Sequence, residues 1–390
     1  MIVLHQTVYF CRSDMIIAVN TRLFISGSRG AAGFFSEEFF VQLARQHPEH
    51  QFYFLSDHAM GYRHSMPENV ICKQLIFPLV TLLSVSASYN LSLPRVLRKI
   101  KADVYVSPDG CCFPSASVPQ CLIVQELSFL PDMDKISGKR LWRSRYRMSC
   151  LLKKAQQIVT VSDFFKRELE MHYPYCSDKI AVVLNMPEAL YKPLSREEKE
   201  RVKEQYTEGV EYFFYRGAVH SGHQVVSLLR AFSVFKKRQK SNMKLVICPG
   251  THKKNESLSR LLQTFKYRSD VVVTGELEVE EQALLTAAAY AMIYPSLRGV
   301  GGRFPLESLQ CGVPVIADRS EVMTETGGDA FLYFETDNYE DLAGKMMLLY
   351  KDETLRSKLV ANGLLRLQVV AEAGPDRHLW HSLLKAAGAE

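Results

Sequence analysis

Residues 295–318 read PSLRGVGGRFPLESLQCGVPVIAD, and they combine two apolar runs with a glycine-rich loop and a helical segment. The glycines of the loop are Gly299, Gly301 and Gly302. Glycine lets the backbone approach a phosphate closely, and the N-terminus of the following helix offers free N–H groups. We therefore predict a strand, a phosphate-binding loop and a helix in which Glu307 accepts hydrogen bonds from ribose hydroxyls.

Short apolar runs alternate with helical patterns from Met15 onward. The first predicted strands are Ile16–Asn20, Phe52–Leu55, Val104–Ser107, Leu122–Gln125, Ile158–Val161 and Ala181–Leu184. A second series comprises Tyr212–Tyr215, Leu245–Cys248, Val271–Thr274, Ala291–Tyr294, Val313–Ala317 and Phe331–Phe334. These runs are almost continuously apolar, which is typical of strands buried on both faces of a parallel sheet. The predicted fold class is α/β with doubly wound parallel sheets.

A charged connector separates the two series of strands. Residues 187–209 contain two prolines and a helical pattern with few apolar residues, so we expect a surface segment there. The predicted division is a disordered extension at 1–14, a Rossmann-like domain at 15–186, a linker at 187–210, a second domain at 211–352 and C-terminal helices at 353–390. Ligands of such sheets bind at the carboxyl ends of the strands, where we expect the functional site.

The composition excludes several classes of protein. The chain has 390 residues, of which 47% are hydrophobic and 23% charged, so intrinsic disorder is excluded. It contains no run of the ~18 apolar residues that a membrane-spanning helix needs. The 9 cysteines are odd in number and include no Cys-x-x-Cys pair. This pattern indicates reduced thiols, and we expect a cytoplasmic location.

The net charge of +6 is concentrated in one place. The segment from Lys135 to Ser162 contains eight basic residues and no acidic one. If residues 138–156 are helical, one narrow sector carries Arg140, Arg143, Arg147 and Lys154. Such a stripe is either a solvated face or a site for an anionic partner, namely lipid headgroups at the inner membrane face or a phosphorylated acceptor.

Three other patterns are weaker. The loop after the first predicted strand contains Gly33 and two further glycines, which fit either a phosphate contact or an ordinary glycine turn. Two His-x-x-His sequences lack a third ligand nearby, so we predict no metal site. The run Lys236–Arg238 has no interleaved aromatic residues, so we expect no nucleic-acid partner.

Several segments together resemble the retaining GT-B glycosyltransferases of family 4, the "glycosyl transferases group 1". Residues 295–318 are similar to the family signature, in which two glutamates bracket a glycine loop ahead of a Cys-Gly turn. Other similar segments are MIIAVNTRLF (Met15–Phe24), KIKADVYVSPDG (Lys99–Gly110), QQIVTVSDFFKREL (Gln156–Leu169) and YFFYRGAVHSGHQVVSLLRAF (Tyr212–Phe232). The resemblance implies a GT-B fold with an acceptor-side domain, a nucleotide-sugar donor domain and C-terminal helices that cross back to the first domain.

The resemblance also implies a function and a set of site residues. It implies transfer of a hexosyl unit, with retention, from a nucleotide sugar to a glycan or to a polysaccharide or lipid-linked acceptor, without metal or cofactor. The implied donor-binding residues are Gly33, Arg216, Gly217, His223, Thr274, Gly275, Gly301, Gly302 and Glu307. The family's catalytic positions fall at Gln125 and Gly299.

This sequence departs from the family pattern at three places. Gly299 replaces the family's first glutamate, Gln125 replaces a histidine, and Gly222–His223 replaces an Arg-Lys pair that grips the diphosphate. Each lost charge-assisted contact removes roughly 1.5–3 kcal/mol. A non-catalytic glycosyltransferase-like protein that binds a partner or a glycan therefore stays open as the alternative. A nucleotide dehydrogenase is excluded because its glycine fingerprint is absent.

Overall fold

The computed structural model describes residues 14–22, 24, 37–56, 61–75, 85–108, 110, 112, 117–125, 127, 138–217, 222–249, 256–275, 277–295 and 302–389. The extension predicted at residues 1–14, apart from Asp14, lies outside this part of the chain. The same is true of Gly33, Gly299 and Gly301.

Seven strands in the first part of the described chain form one parallel sheet. They are β1 (Ile16–Asn20), β2 (Gln51–Ser56), β3 (Val70–Gln74), β4 (Val104–Ser107), β5 (Gln120–Val124), β6 (Gln157–Thr160) and β7 (Ile180–Val182). Their order is β3-β2-β1-β4-β5-β6-β7. The accompanying helices are α1 (Glu37–Gln46), α2 (Val85–Lys99), α3 (Gly138–Lys154) and α4 (Asp163–His172), with a 3-10 turn at Pro174–Lys179.

A second parallel sheet follows the helix α5 (Arg196–Thr207). Its strands are β8 (Tyr212–Gly217), β9 (Lys244–Pro249), β10 (Val271–Val273), β11 (Ala291–Tyr294), β12 (Val315–Asp318) and β13 (Phe331–Phe334), in the order β10-β9-β8-β11-β12-β13. Its helices are α6 (Gly222–Gln239), α7 (Glu256–Gln263), α8 (Val279–Ala288), α9 (Arg303–Gln310), α10 (Glu321–Gly327) and α11 (Tyr339–Lys351). Two further helices, α12 (Glu353–Glu372) and α13 (Pro375–Ala387), end the described chain.

The doubly wound parallel architecture predicted from the apolar runs is confirmed. Every residue of β4, β5, β6, β11 and β12 is buried, as continuous apolar runs in a covered sheet require. Strand β3 was missing from the prediction because it is an edge strand in which only Val70 is buried. A strand with one solvated side does not need the apolar run that marks a central strand.

The strand order reverses once in each sheet. The reversal lies between β1 and β4 in the first sheet and between β8 and β11 in the second. In open parallel sheets, the crevice beyond the carboxyl ends of the strands at this reversal is where ligands bind. We therefore expect the functional site among the residues that follow β8 and β11.

The last helix returns to the first sheet. Helix α13 packs against β4, β5, β6 and β7, and its Leu379 and Leu383 belong to the same apolar cluster as Val159. Trp380 packs against this cluster, and its ring stacks on the ring of His47 with a centroid distance of 3.5 Å. The C-terminus thus joins a sheet from which it is far removed in sequence.

Candidate functional site

The candidate site lies where β8 ends and α9 begins. Arg216 and Gly217 are the last residues of β8, and α9 starts directly after Gly302. A Cβ atom added at Gly302 would lie 2.4 Å from Cγ2 of Thr326, so only glycine fits against α10 without a shift of that side chain. This close approach positions the N-terminus of α9 next to the crevice.

Glu307 is the central side chain of the site. It is 0% exposed, and both of its carboxylate oxygens are ion-paired. Arg216 Nη1 lies 2.7 Å from Oε2, and Arg303 Nε lies 2.6 Å from Oε1. Arg216 also donates a hydrogen bond to the hydroxyl of Tyr191 at 2.5 Å, and its guanidinium lies 4.1 Å from the centroid of the Phe304 ring. The carboxylate is therefore held in one orientation.

The ion pairs continue from Arg303 into the first domain. Arg303 Nη2 contacts Glu188 Oε1, and Arg63 Nη2 lies 3.2 Å from the other oxygen, Oε2, of the same carboxylate. Gln310 Nε2 donates to the backbone oxygen of Glu188 at 2.8 Å. Arg63 belongs to the loop between β2 and β3, so the network joins both domains through the connector.

The network contains three guanidinium groups and two carboxylates, which leaves a formal charge of +1. Burial disfavours ionisation of Glu188, but Arg303, Arg63 and Arg216 outweigh it and hold the pKa of Glu188 below its ordinary value. Burial would likewise lower the pKa of Arg216, yet Tyr191 and Glu307 beside it raise that pKa. Glu188 and Arg216 are therefore both charged at neutral pH.

Sequence reasoning did not find Arg63, Glu188 or Tyr191. The connector was predicted to be a surface segment, and this is wrong for its first residues, because Glu188 is 4% and Tyr191 0% exposed. They are buried because they pack against α9 and Arg216. The sequence does show an acidic residue, Glu188, and an aromatic residue, Tyr191, between two prolines. This local pattern does not indicate which distant residues they contact.

The residues predicted to contact a base lie at the end of β10. Thr274 is buried, and its backbone N–H donates to the oxygen of Ile247 at 3.0 Å. Gly275 follows it and is exposed, with no heavy atom within 4 Å of an added Cβ. These residues are at the carboxyl edge of the second sheet, as are Arg216 and Gly217.

The other predicted positions are distributed over both domains. Gln125 follows β5 and is buried, and its Nε2 donates to the oxygen of Pro108 at 2.5 Å. His223 is the second residue of α6, and Arg140 lies in the first turn of α3. Farther along α3, Arg143 and Arg147 are exposed and Lys154 is half-buried.

A second contact between the domains lies beside the site. The carboxylate of Glu325, on α10, accepts the backbone N–H groups of Asp163 at 2.6 Å and Phe164 at 3.0 Å, which open α4 of the first domain. Arg366 donates to the backbone oxygens of Glu325 and Thr326 and so holds this turn. An open cleft of about 290 Å³ beside it is lined by residues of both domains, including Ser162 and Leu306.

The chain is similar to known glycosyltransferases. Residues 196–366 match the family described as "Glycosyl transferases group 1". The matched residues include the whole of the second sheet. The chain is also 26% identical over 226 residues to the O-antigen chain mannosyltransferase B of Escherichia coli, covering 57% of this chain and 59% of that protein. The chain therefore spans only about three-fifths of the length of that relative.

Solved glycosyltransferases share the GT-B fold. WaaG, a glycosyltransferase involved in lipopolysaccharide biosynthesis, has a TM-score of 0.71 at 15% identity, over 89% of this chain and 94% of that chain. Anabaena HepE, solved in complex with UDP-glucose, has a TM-score of 0.68 at 14% identity, over 92% and 99%. The fold class expected from the sequence is confirmed by these similarities.

Two further features of the described residues concern metal binding and membrane spanning. In the part that the structure describes, no three His, Cys, Asp or Glu side chains are grouped so that they could hold a metal ion. Among the helices of the same residues, none is long and apolar enough to cross a bilayer.

Proposed function

We propose that this chain is a retaining, metal-independent glycosyltransferase that transfers a hexosyl unit from a nucleotide sugar to a glycan or to a polysaccharide or lipid-linked acceptor. The observation that carries the proposal is Glu307, a buried carboxylate beyond the carboxyl edge of the donor-side sheet, held on two sides by Arg216 and Arg303. The O-antigen mannosyltransferase relative and the UDP-glucose complex of HepE support the same class of donor and product.

The ion pairs leave Glu307 able to accept further hydrogen bonds. An ionised carboxylate has about four lone-pair positions, of which the two arginines occupy one on each oxygen. The remaining lone pairs suit the two hydroxyls of a ribose. Arg216 and Arg303 fix the orientation of the carboxylate, so little freedom is lost when the nucleoside binds.

Gly222 and His223 stand where the family has the cations that grip the diphosphate. The donor phosphates would therefore depend on the positive charge of the arginine network. We expect donor binding to be weaker than in relatives with those cations. His223→Lys should strengthen it, because a permanent charge returns at the start of α6.

The alternative is a protein that binds a partner or a glycan without catalysis, and Gln125 favours it. Its amide is tied to the Pro108 oxygen and, unlike the histidine that the family has at this position, it cannot carry a positive charge toward the donor. The experiment for both candidates titrates the unmodified chain with UDP- and GDP-sugars and then measures donor hydrolysis and transfer. Turnover supports the enzyme, binding without turnover supports the alternative, and absence of all binding contradicts a nucleotide-sugar site.

The matched pair of variants for this experiment is Glu307→Gln and Glu321→Gln. The first changes the buried carboxylate of the site, whereas Glu321 is 68% exposed and paired only with Arg167. We expect roughly tenfold weaker nucleotide binding for Glu307→Gln. No change is expected for Glu321→Gln.

We also propose peripheral association of α3 with anionic membranes at the inner face. Trp142 and Tyr146 are 68% and 61% exposed, and their rings stack with a centroid distance of 5.7 Å. Arg143 and Arg147 are exposed on the same helix. Aromatic rings beside arginines are typical of helices that bind in the interfacial layer of a bilayer.

A further inference from the structure

The loop between β2 and β3 carries a partly exposed guanidinium group, Arg63, at the end of the interdomain ion pairs. The Arg63 side chain is 29% exposed, and only its Nη2 is hydrogen-bonded to another described residue, Glu188. A guanidinium has five N–H donors, so four remain for a ligand. None of the sequence patterns that identified the donor site included this residue.

The loop does not need Arg63 to keep its shape. The Tyr62 hydroxyl is hydrogen-bonded to Thr21 Oγ1 at 2.8 Å, and the backbone N–H of His64 donates to Glu37 Oε1 at 2.8 Å. Arg45 Nη2 donates to the backbone oxygen of Ser65 at 3.0 Å. Residues on both sides of Arg63 are thus anchored by other contacts, and its side chain is supported in a loop that is already positioned.

The ion pairs around Arg63 contain more guanidinium groups than carboxylates. Glu188 shares its two oxygens between Arg303 and Arg63, and Glu307 shares its two between Arg303 and Arg216. Two carboxylates therefore serve three guanidinium groups, and Arg63 is the most exposed of the three, at 29% against 12% for Arg303 and 10% for Arg216. Of the three guanidinium groups, Arg63 is therefore the one that a ligand from solvent reaches most easily.

We propose that Arg63 is a phosphate-binding residue, which takes a phosphate of the bound substrate through the N–H donors that Glu188 does not occupy. The planar fork of a guanidinium matches two phosphate oxygens, which makes it a better partner for phosphate than for a neutral sugar. The inference rests on the proposed function, since a nucleotide-sugar donor and a lipid-linked acceptor both carry phosphate. It supplies from the first domain a charge that the second domain lacks at Gly222 and His223.

The test uses the opposite charges of one ion pair. Arg63→Gln and Glu188→Gln both break the contact between Arg63 and Glu188. If the pair has only a structural role, both variants weaken ligand binding. If Arg63 binds phosphate, Arg63→Gln weakens the binding of inorganic pyrophosphate by about tenfold or more, whereas Glu188→Gln tightens it, because a negative charge beside the site is lost.

The measurement is calorimetric titration of the full chain with pyrophosphate, with thermal melting of each variant. Arg63→Lys keeps a charge and should bind pyrophosphate with an affinity between those of the unmodified chain and Arg63→Gln, and it serves if the glutamine variant does not fold. Arg45→Gln is the matched control, because Arg45 holds the same loop from its exposed side. Equal weakening by Arg63→Gln and Glu188→Gln, an unchanged affinity in Arg63→Gln, or no pyrophosphate binding by the unmodified chain would overturn the inference.

Two further titrations identify the source of the phosphate. Weaker binding of UDP or GDP by Arg63→Gln, with unchanged binding of uridine or guanosine, assigns Arg63 to the donor. Weaker binding of farnesyl phosphate alone assigns it to a lipid-linked acceptor. Nucleotide-sugar binding that is normal in Arg63→Gln, together with unaltered pyrophosphate binding, leaves the proposed function intact and removes only the inference.

Discussion

Arg216 Nη1 lies 2.7 Å from Glu307 Oε2, and this ion pair joins the end of strand β8 to helix α9. It lies where the strand order of the second sheet reverses, between β8 and β11. Glu307 is 0% exposed and also pairs with Arg303, so one carboxylate compensates two buried cations. The ion pair between Arg216 and Glu307 therefore affects the stability of the fold as well as ligand binding.

We predict that Glu307→Gln lowers the free energy of unfolding of the second domain by about 3 kcal/mol, because it removes the counter-charge of the buried Arg216 guanidinium and one of the two carboxylates that pair with Arg303. Urea unfolding followed by fluorescence measures the change. Arg167→Gln is the control, since Arg167 and Glu321 are 58% and 68% exposed, and its effect should stay below about 1 kcal/mol. Similar losses for the two variants would show that burial of the Glu307 pair is not decisive.

The lowered pKa of Glu188 predicts a specific dependence on pH. Its folded pKa lies below the value of 4.5 for an ordinary glutamate, so its ion pairs contribute stability that is complete above about pH 4.5 and is lost as the pH falls through the folded pKa. Urea midpoints of the unmodified chain and of Glu188→Gln should therefore converge in acid and separate near neutral pH. A constant difference over the whole range would contradict this assignment.

Glu325 is predicted to hold the two domains together. Its carboxylate accepts two backbone N–H groups at the start of α4, so Glu325→Ala leaves two donors of the first domain without this partner. We expect a loss of about 1 kcal/mol and an increase in the radius of gyration in small-angle X-ray scattering. Glu335→Ala, which removes an exposed contact with Arg319 inside the second domain, is the control, and an equal change in both variants would exclude a specific role for Glu325.

Association of α3 with anionic vesicles should depend on both its rings and its charges. Trp142→Ala and Tyr146→Ala should each reduce co-sedimentation with phosphatidylglycerol vesicles, because these exposed rings insert among the headgroups. Arg143→Glu with Arg147→Glu should reduce it further at low salt, since each charge near the surface contributes about 1 kcal/mol.

The control for α3 is Met171→Ala, which removes a 71% exposed apolar side chain from helix α4. Binding should be unaffected by this change and should decrease with added salt, because the Debye length is only ~10 Å at 0.1 M. Equal loss in Met171→Ala and Trp142→Ala, or binding that does not respond to salt, would contradict the proposal.

The sequence by itself determined the α/β architecture and the position of Glu307. Continuous apolar runs are local and mark strands buried on both faces, so β1, β4 and β11 were predicted with their observed bounds. The helix predicted after the glycine segment is present as α9, which begins at Arg303 and contains Glu307. Edge strand β3 was missed because only Val70 of its five residues is buried, while two are half-buried and two are exposed, so no continuous apolar run marks it.

Only the tertiary structure decided what surrounds Glu307. Arg63 and Glu188 are 125 residues apart, and Glu188 and Arg303 are 115 apart, yet they form consecutive ion pairs. A charged residue in a linker has the same sequence pattern whether it is solvated or buried against a partner, because local periodicity carries no information about distant cations. The burial of Glu188 and the partial exposure of Arg63 follow from the way the connector packs between the two sheets.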